Sequence, residues 1–276
     1  MKRNSVVTQT LFTIAGSDPS GGAGIQADLK TMTSLGVYAA AAITCLTVQN
    51  SRGIQEIHPL PPVFVRDQIK AVLEDHHVTH IKIGMTGTME IIEALGKLLE
   101  SFPGVVIYDP VLASTTGQSL LQNKGIPVLK ETLLRRVTIL TPNIGELEQL
   151  TGNTINSTKE ALKNAELLLE DFPLLLAVVV KGGHLESGTD IIQDFLVQRG
   201  GRLHESKRRR HKSCNLHGTG CTYASALASY LCLGRDMVAA FQGAGDYMDR
   251  IIQAGSQDCL VKSGNNGPLS HYRLTG

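Results

Sequence analysis

The chain contains 276 residues, with 26 lysines and arginines against 25 aspartates and glutamates, so its formal net charge is only +1. This balance excludes the overall positive field that recruits nucleic acid or an anionic membrane, and neither is expected as a partner. No apolar run reaches the roughly 20 residues that span a bilayer. The five scattered cysteines form no C-x-x-C pair, which indicates a reducing, cytoplasmic setting without zinc or a disulfide framework.

Apolar runs of strand length alternate with amphipathic segments of helical length through the first two thirds of the chain. The predicted strands are 10–15, 38–48, 80–83, 105–109, 137–140 and 176–181, and the predicted helices are 25–35, 63–75, 89–102, 125–134 and 158–172. This alternation is typical of βαβ units on a parallel sheet. Because no linker or repeat divides the chain, we expect one domain over residues 1–276, an α/β three-layer sandwich with a mostly parallel central sheet.

The last third of the chain adds a hairpin and more helices. The predicted elements are a small edge hairpin formed by 191–198 and 202–206, and two helices over 220–233 and 235–255. A basic run at 207–212 follows the hairpin. It could bind phosphates, but without interleaved aromatic residues in a nearly neutral chain it is interpreted as a solvated loop.

A glycine-rich loop, residues 15–24, lies between the first predicted strand and the first predicted helix. In α/β sheets, loops at the carboxyl ends of strands hold ligands. The loop lacks the G-x-G-x-x-G spacing of a dinucleotide site and the Lys-Ser/Thr ending of a P-loop. It is therefore predicted to line a site of another kind.

Polar residues follow four further predicted strands, and the same rule brings them to one edge of the sheet. They are Gln49, Asp109, Asn143 and Lys181. Lys181 can offset phosphate charge, and Asn143 with Glu146 puts two oxygen-bearing side chains one helical turn apart, which suits Mg²⁺ held largely through water. The same two residues also fit a local role, with Asn143 as N-cap and Glu146 at the third helical position.

The strongest local signal is the sequence HGTGCT at 217–222, which precedes an alanine-rich predicted helix. Gly218 and Gly220 let the backbone approach an anion, and the first N–H groups of the helix, including that of Thr219, point at the same place. Phosphoryl transfer needs such an anion hole, because charge on the transferred group must be stabilised. From this short motif alone, an ordinary glycine-bearing helix cap is an equal alternative.

Cys221 lies in the first turn of that predicted helix, where the helix dipole is expected to lower the pKa of the thiol. It could then act as the base for the attacking hydroxyl, or polarise that hydroxyl; the alternative is a small buried apolar residue. Asp246, after Gly243 and Gly245, is a competing acid. It lies inside an amphipathic segment, however, where glycines favour close helix packing.

These segments, in this order, resemble the ribokinase-like superfamily and, within it, the hydroxymethylpyrimidine/phosphomethylpyrimidine kinases of thiamine biosynthesis. The matching segments are TIAGSDPSGGAGIQADLKT (13–31), QNSRG (49–53), KIGM (82–85), DPV (109–111), TPNIGELEQLTG (141–152), KGGH (181–184) and HGTGCT (217–222). The resemblance covers nearly the whole chain. It implies a homodimer that uses ATP and Mg²⁺ to phosphorylate a small pyrimidine alcohol and then its monophosphate.

The resemblance also implies roles for individual residues. Those around the pyrimidine are Ala23, Asp28, Gln49, Met85 and Val111; those on the ATP phosphates are Lys181, Gly218, Thr219 and Gly220; the catalytic set is Lys181, Gly218, Gly220 and Cys221; and those near Mg²⁺ are Asp109, Asn143 and Glu146. For Gln49 the chemistry agrees, because a side-chain amide offers a donor and an acceptor side by side, as an aminopyrimidine edge requires.

Two features depart from the family pattern. Segment 112–117 lacks a lysine that many members carry after Asp-Pro-Val, and the basic run at 207–212 is denser than in the family. A pyridoxine or pyridoxal kinase would share the phosphate site and differ only in the ring pocket, so that activity stays open as an alternative. A catalytically silent pyrimidine-binding regulator is the alternative from another class.

Overall fold

The computed structural model describes residues 9–113, 120–121, 125–182, 190–211, 213–262 and 266–274. The strands are β1 (Thr10–Ser17), β2 (Tyr38–Asn50), β3 (Gly53–Pro59), β4 (Val78–Ile83), β5 (Val105–Tyr108), β6 (Ile139–Leu140), β7 (Ala177–Lys181), β8 (Ile191–Gln198) and β9 (Arg202–Arg209). The helices are α1 (Gly24–Ser34), α2 (Pro62–Asp75), α3 (Met89–Leu98), α4 (Gly125–Glu131), α5 (Ile144–Thr151), α6 (Thr158–Asp171), α7 (Thr219–Cys232) and α8 (Met237–Ala254). Short 3₁₀ helices cover Leu99–Ser101, Leu133–Arg136 and His271–Leu274.

The nine strands form one sheet in the order β3-β2-β1-β4-β5-β6-β7-β8-β9. The six strands from β2 to β7 in this order pair in parallel, and antiparallel hairpins complete both edges. The six parallel strands therefore point the same way, and their carboxyl ends lie along one side of the sheet, where loops can bring distant segments together. The expected mostly parallel sheet between helical layers is confirmed.

Two apolar cores cover the two faces of the sheet. Helices α2 to α6 supply the first core, and α1, α7 and α8 supply the second. Because side chains alternate along a strand, Phe12 and Ile14 of β1 join the first core while Leu11 joins the second, which turns Thr13 towards α1. The same alternation in β4 turns Lys82 towards α1 and α7.

The structure corrects the sequence prediction in three places. The sheet has a hairpin at each edge, because β3, whose side chains are mostly exposed, pairs with the end of β2. Helix α5, which is not among the predicted helices, begins directly after Asn143. The first part of the basic run belongs to β9 rather than to a loop, since β9 pairs with β8 along its whole length, and Arg208 forms a buried ion pair with Asp194.

Several points of the sequence analysis lie partly outside the described residues. These are Gly183 and His184 of KGGH, Lys212 of the basic run and positions 114–117 of the departing segment. All five cysteines are free thiols. Across the described ranges, no helix is both long and apolar enough to cross a membrane.

Candidate active site

The glycine-rich loop is held in shape by Asp18. This buried carboxylate accepts hydrogen bonds from the backbone N–H groups of Ser20, Gly22 and Ala23, at 2.8 to 3.2 Å, and from the Ser20 hydroxyl. Burial favours the neutral acid, but hydrogen bonds from His217 and Ser20 hold the pKa of Asp18 below its usual range. Ala23, the N-cap of α1, is thereby fixed at the carboxyl end of β1.

The start of α7 lies directly against this loop. Gly218, the N-cap of α7, has a φ of +84°, and a Cβ added there would stand 1.8 Å from the Gly22 carbonyl oxygen. Only glycine allows this approach. Thr219 is the first residue of α7 and its N–H donates to the Leu216 carbonyl oxygen at 3.4 Å, so the N-terminus of the helix opens where the loop passes. The glycine turn and the helix start expected from the sequence are therefore present, which fits both the anion hole and the glycine-bearing helix cap.

Lys181 connects this helix start to the centre of the sheet. A Cβ on Gly220 would lie 3.4 Å from Lys181 Nζ and 3.8 Å from Asp109 Oδ2. Lys181 Nζ donates to Asp109 Oδ1 at 2.7 Å and lies 4.0 Å from Glu146 Oε2. One ammonium group, two carboxyl groups and a helix N-terminus therefore meet at the predicted phosphate end of the site.

Burial and these charges shift the pKa values of the cluster. Burial would raise the pKa of Asp109, but the ammonium groups of Lys181 and Lys82 hold it below its usual range. Burial and the Asp109 charge raise the pKa of Glu146 to about 7, although Lys181 acts in the opposite direction. Glu146 therefore lacks enough positive charge nearby to favour its ionised form fully.

Asn143 and Glu146 form a capping box at the start of α5. Asn143 N–H donates to Glu146 Oε2 at 2.7 Å, and Glu146 N–H donates to Asn143 Oδ1 at 2.9 Å. The local role recognised in the sequence is thus real, and it leaves Asn143 largely engaged. No group of three or more His, Cys, Asp or Glu side chains in the described ranges could hold a metal ion. Asp109 and Glu146 nevertheless fit Mg²⁺, a hard cation that takes carboxylates together with phosphate oxygens and water.

The pKa of Cys221 moves opposite to the expected direction. Burial raises the pKa of its thiol to about 11, helped by the charges of Asp28 and Asp109, and Lys82 only partly compensates. The prediction of a pKa lowered by the helix dipole is wrong, because desolvation outweighs the helix terminus. At neutral pH Cys221 is a thiol, and the Gly24 N–H faces its sulfur.

A wholly enclosed ion pair lies beneath the thiol. Lys82 Nζ donates to both oxygens of Asp28 at 2.9 Å, and neither side chain has exposed surface. Thr13 and Ser225 hydroxyls also donate to Asp28, at 2.6 and 2.7 Å. Ser225 is one turn after Cys221 on the same face of α7, so the pair lies under the thiol. Asp28, expected at the pyrimidine, is therefore placed behind the cleft rather than on its surface.

Gln49 ends β2 close to His217. The Gln49 amide lies 3.1 Å from His217 Nε2 and 3.2 Å from the Thr47 hydroxyl. His217 Nε2 must carry a proton to bond Asp18 Oδ2 at 2.8 Å, so the amide atom facing His217 has to be the oxygen. The NH₂ group then donates to Thr47. One donor and one acceptor position of the amide remain available for a ring edge.

Met85 and Val111 belong to a small apolar cluster on the Gln49 side of the site. Met85 Sδ lies 3.9 Å from Cys45 Sγ, and Val111 packs on the same cluster with Leu120. A Cβ on Gly16 would meet Cys45 Sγ at 2.8 Å, so the glycine-rich loop passes close to this cluster. Of the five residues expected around the ring, four are thus grouped at the carboxyl ends of β1, β2, β4 and β5.

Sequence reasoning assigned no role to Asp18, His217 or Lys82. An acid inside a glycine-rich turn is a signal for side-chain to backbone hydrogen bonds, and Asp18 could have been recognised by it. Lys82 has a weaker signal, a charge between two isoleucines of a predicted strand. Asp246 is exposed on α8. A Cβ on Gly243 would lie 2.9 Å from the Tyr230 ring of α7, which fits the expected close helix packing, whereas Gly245 faces Arg208 of β9.

The sequence matches one protein family over most of its length. The model of the family described as Phosphomethylpyrimidine kinase matches residues 18–269. The hydroxymethylpyrimidine/phosphomethylpyrimidine kinase of Haemophilus influenzae is 38% identical over 264 residues, which cover 95% of this chain and 96% of that protein. The chloroplastic bifunctional thiamine biosynthetic enzyme of Arabidopsis thaliana is 39% identical over 95% of this chain. This chain spans about half the length of that relative and of the other bifunctional relatives it matches.

Solved structures agree with this match. A phosphomethylpyrimidine kinase from Clostridium difficile has a TM-score of 0.77 and 34% identity, covering 89% of this chain and 99% of that chain. The pyridoxal kinase of Staphylococcus aureus, solved with AMP-PCP and pyridoxal, has a TM-score of 0.84 and 29% identity over 96% of this chain and 94% of that chain. The structural likeness therefore extends to kinases of two kinds of ring substrate.

Proposed function

Because the chain belongs to the phosphomethylpyrimidine kinase family, we propose that it phosphorylates 4-amino-5-hydroxymethyl-2-methylpyrimidine and then the resulting monophosphate, in thiamine biosynthesis. The observation that carries this proposal is the meeting of Lys181, Asp109 and the N-terminus of α7 at one point. Positioning and charge stabilisation are what phosphoryl transfer requires of a protein. The intact cluster also argues against a silent regulator.

The phosphate end of the site is assigned to Lys181 and to the turn of Gly218, Thr219 and Gly220. ATP supplies the transferred phosphoryl group. Lys181 would neutralise part of its charge, and the backbone N–H groups that open α7 would hold its oxygens. Because these donors are fixed before the substrate arrives, little reorganisation is needed during transfer.

Asp109 and Glu146 are proposed to hold Mg²⁺ together with phosphate oxygens and water, and Asn143 is proposed to orient Glu146. The raised pKa of Glu146 supports this assignment. A carboxyl group that buried surroundings and a neighbouring carboxylate push towards the neutral form would be returned to the ionised form by a divalent cation.

The acceptor ring is proposed to bind on the Gln49 side of the site, with the Gln49 amide at the ring edge and with Met85, Val111 and Ala23 packed against the ring. The free donor and acceptor positions of the Gln49 amide match the amino group and ring nitrogen of an aminopyrimidine. Asp28 would act from behind the cleft, by holding Lys82 under Cys221. Pyridoxal has a ring nitrogen but no amino group beside it, so the Gln49 amide favours the pyrimidine.

Cys221 is proposed to orient the attacking hydroxyl rather than to deprotonate it in advance. A thiol with a pKa of about 11 contributes almost no thiolate at neutral pH. In the loose transition state of phosphoryl transfer the hydroxyl proton leaves late, so a base formed beforehand is not required.

The decisive assay measures ADP release by the purified chain with the pyrimidine alcohol, its monophosphate or pyridoxal as acceptor. We expect turnover of both pyrimidines, with conversion of the monophosphate to the diphosphate as the discriminating result. Turnover of pyridoxal alone would replace the proposal by the pyridoxal kinase activity. Absence of the second phosphorylation would refute the two-step reaction.

Two variants test the residue assignments, with the exposed Lys70→Ala on α2 as the matched control. Cys221→Ala should lower kcat strongly while substrate affinity changes little, since its contact matters in the transition state. Lys181→Ala should weaken the use of ATP. Unchanged turnover in the first variant would reduce Cys221 to a packing residue, and normal ATP kinetics in the second would refute the phosphate role of Lys181.

We also propose a homodimer that works in the cytoplasm. Apolar side chains on β2 and α2 are exposed, namely Leu46, Val48, Val63 and Phe64. Exposed apolar patches of this kind mark interaction surfaces. In sedimentation experiments the wild type should be a dimer, and Val48→Glu should shift the equilibrium towards the monomer. A monomeric wild type would refute the dimer. The free cysteines suit a reducing compartment.

A further inference from the structure

A cavity of about 1040 Å³ lies beside the proposed active site and is not explained by it. It opens between α1, the turn that joins β2 to β3, and residues 260–262 and 266–272 near the C-terminus. The described residues that line it include neither Lys181 nor Asp109 nor Cys221. Its size is at the upper end of the range for small-molecule sites. The phosphate end of the kinase site therefore does not account for this space.

The charges of the cavity have one sign. Lys30, Arg52 and Lys262 line it, and no aspartate or glutamate is among its described lining residues. This local excess contrasts with the net charge of only +1 for the whole chain. Lysine and arginine side chains around a recess raise the local concentration of anions, and the arginine fork suits the geometry of a phosphate.

The other part of the wall is apolar. Leu29 and Val261 contribute to it, and two further members, Leu260 and Tyr272, are 48% and 54% exposed. Aliphatic and aromatic surface next to cationic groups fits a ligand with a flat ring and an anionic substituent. An inorganic anion would leave the apolar part uncovered.

His217 adds a polar atom in need of a partner. It lines the cavity, is only 5% exposed, and its Nδ1 has no hydrogen-bond partner. A buried polar atom without a partner costs free energy, and Nδ1 has almost no accessible surface, so a ligand that turns the ring far enough to pair with Nδ1 would recover that cost. A ligand hydroxyl suits this atom, because a hydroxyl can both donate and accept a hydrogen bond.

His217 also connects the cavity to the acceptor end of the proposed active site. Its Nε2 lies 3.1 Å from the Gln49 amide and 2.8 Å from Asp18 Oδ2. Asp18 in turn accepts from the backbone of Gly22 and Ala23. A ligand that shifts the His217 ring would therefore move the amide that selects the acceptor and the loop that surrounds it.

We propose that this cavity is a second small-molecule site, which binds a phosphate ester of a small ring compound and, through His217, changes the apparent affinity for the acceptor at Gln49. The binding step stands on the cavity alone. The effect on the acceptor rests on the proposed kinase function.

The binding step is tested by calorimetry of the full chain with phenyl phosphate, in the presence of saturating AMP-PCP. Benzyl alcohol and inorganic phosphate serve as probes that carry the ring or the charge alone. We expect phenyl phosphate to bind more tightly than either. The double variant Arg52→Gln/Lys262→Gln should bind it at least about tenfold more weakly. Arg135→Gln, which removes an exposed arginine elsewhere, and Lys181→Ala should bind it as the wild type does.

Three results would overturn the binding proposal. These are no binding of phenyl phosphate at millimolar concentration, binding that survives in the double variant, and binding that is lost in Lys181→Ala, which would place the probe at the phosphate end of the kinase site. The coupling is tested by the acceptor KM with and without phenyl phosphate. A change in the wild type that is absent in the double variant supports it, and an equal KM in all cases refutes it. An enzyme inactive on both pyrimidines would refute the proposed function and the coupling together, while calorimetry would still decide the binding site.

Discussion

Replacing Lys82 by methionine would leave the Asp28 carboxylate without its counter-ion in a wholly enclosed position. Both side chains have no exposed surface, and the ammonium group contacts both carboxylate oxygens at 2.9 Å. Removing one partner of a buried ion pair costs about 3–5 kcal/mol. At about 2–4 °C per kcal/mol for a chain of this size, the melting temperature should fall by roughly 6–20 °C.

The matched experiment removes both charges. In Lys82→Met/Asp28→Asn, one of the hydroxyls of Thr13 and Ser225, which now donate to different oxygens of Asp28, can donate to the new amide oxygen while the other accepts from the amide NH₂, and no unpaired charge remains. Replacing a whole buried pair by neutral groups of similar volume is often close to neutral. We therefore expect the double variant to be more stable than Lys82→Met alone, although it lacks one more native side chain.

Urea unfolding of the wild type, the two single variants and the double variant gives the coupling energy between the two side chains. The exposed pair Arg66–Asp67 is the control, since its side chains are 43% and 55% exposed and Arg66→Met should cost less than about 1 kcal/mol. If the two single losses at the buried pair simply add, within about 0.5 kcal/mol, the two charges do not interact and the reasoning is refuted.

Three other measurements test separate parts of the structure. At pH 7.5 iodoacetamide should modify Cys221 at least tenfold more slowly than the exposed Cys259, because burial raises the pKa of the Cys221 thiol. The rate of Cys221 modification should rise until about pH 11. If Cys221 reacted faster than Cys259, the helix-dipole interpretation would be restored. Gly218→Ala should lower the free energy of unfolding more than Gly234→Ala. Both glycines have φ near +84°, but only a methyl group at position 218 would lie against a carbonyl oxygen. Equal losses in the two variants would contradict the close approach at Gly218. Burial lowers the pKa of His271 to about 4, so the unfolded chain gains a proton between pH 6.5 and 4 that the folded chain does not, and stability should fall by about 3 kcal/mol over that range. His271→Gln should flatten this part of the stability curve, and an unchanged slope would refute the assignment.

The placement of the site at one edge of the sheet could be predicted because it follows from a periodic pattern. Apolar runs separated by helical segments imply parallel strands, and parallel strands bring their carboxyl ends together. Lys181, Asp109 and Gly220 are far apart in sequence, yet each follows a strand or opens a helix at that edge, and the structure brings them together. The pattern could not predict whether the side-chain oxygens of Asn143 and Glu146 are used by a helix cap or left for a metal ion, since that depends on side-chain rotation.

Properties set by burial and by strand register were beyond the sequence. The pKa of Cys221 was misjudged because the helix terminus is local and visible in the sequence, whereas desolvation depends on what covers the thiol from α1 and β4. Arg208 was assigned to a loop because its counter-ion, Asp194, is brought near only by the pairing of β8 with β9. In both cases the deciding neighbours are distant in the chain.

The buried charges of the site can be followed in order from the core to the cleft. Lys82 and Asp28 neutralise each other beneath Cys221, and Lys181 neutralises Asp109 beside Gly220. Glu146 is the carboxyl group left over, and its pKa of about 7 reflects that position. The cluster therefore has one carboxyl group whose ionised form a cation would stabilise, and one helix N-terminus that an anion would stabilise. A magnesium-bound phosphate supplies both charges. A free phosphate would gain only from the helix terminus and Lys181, so this distribution of charge favours a nucleotide phosphate that arrives together with its metal ion.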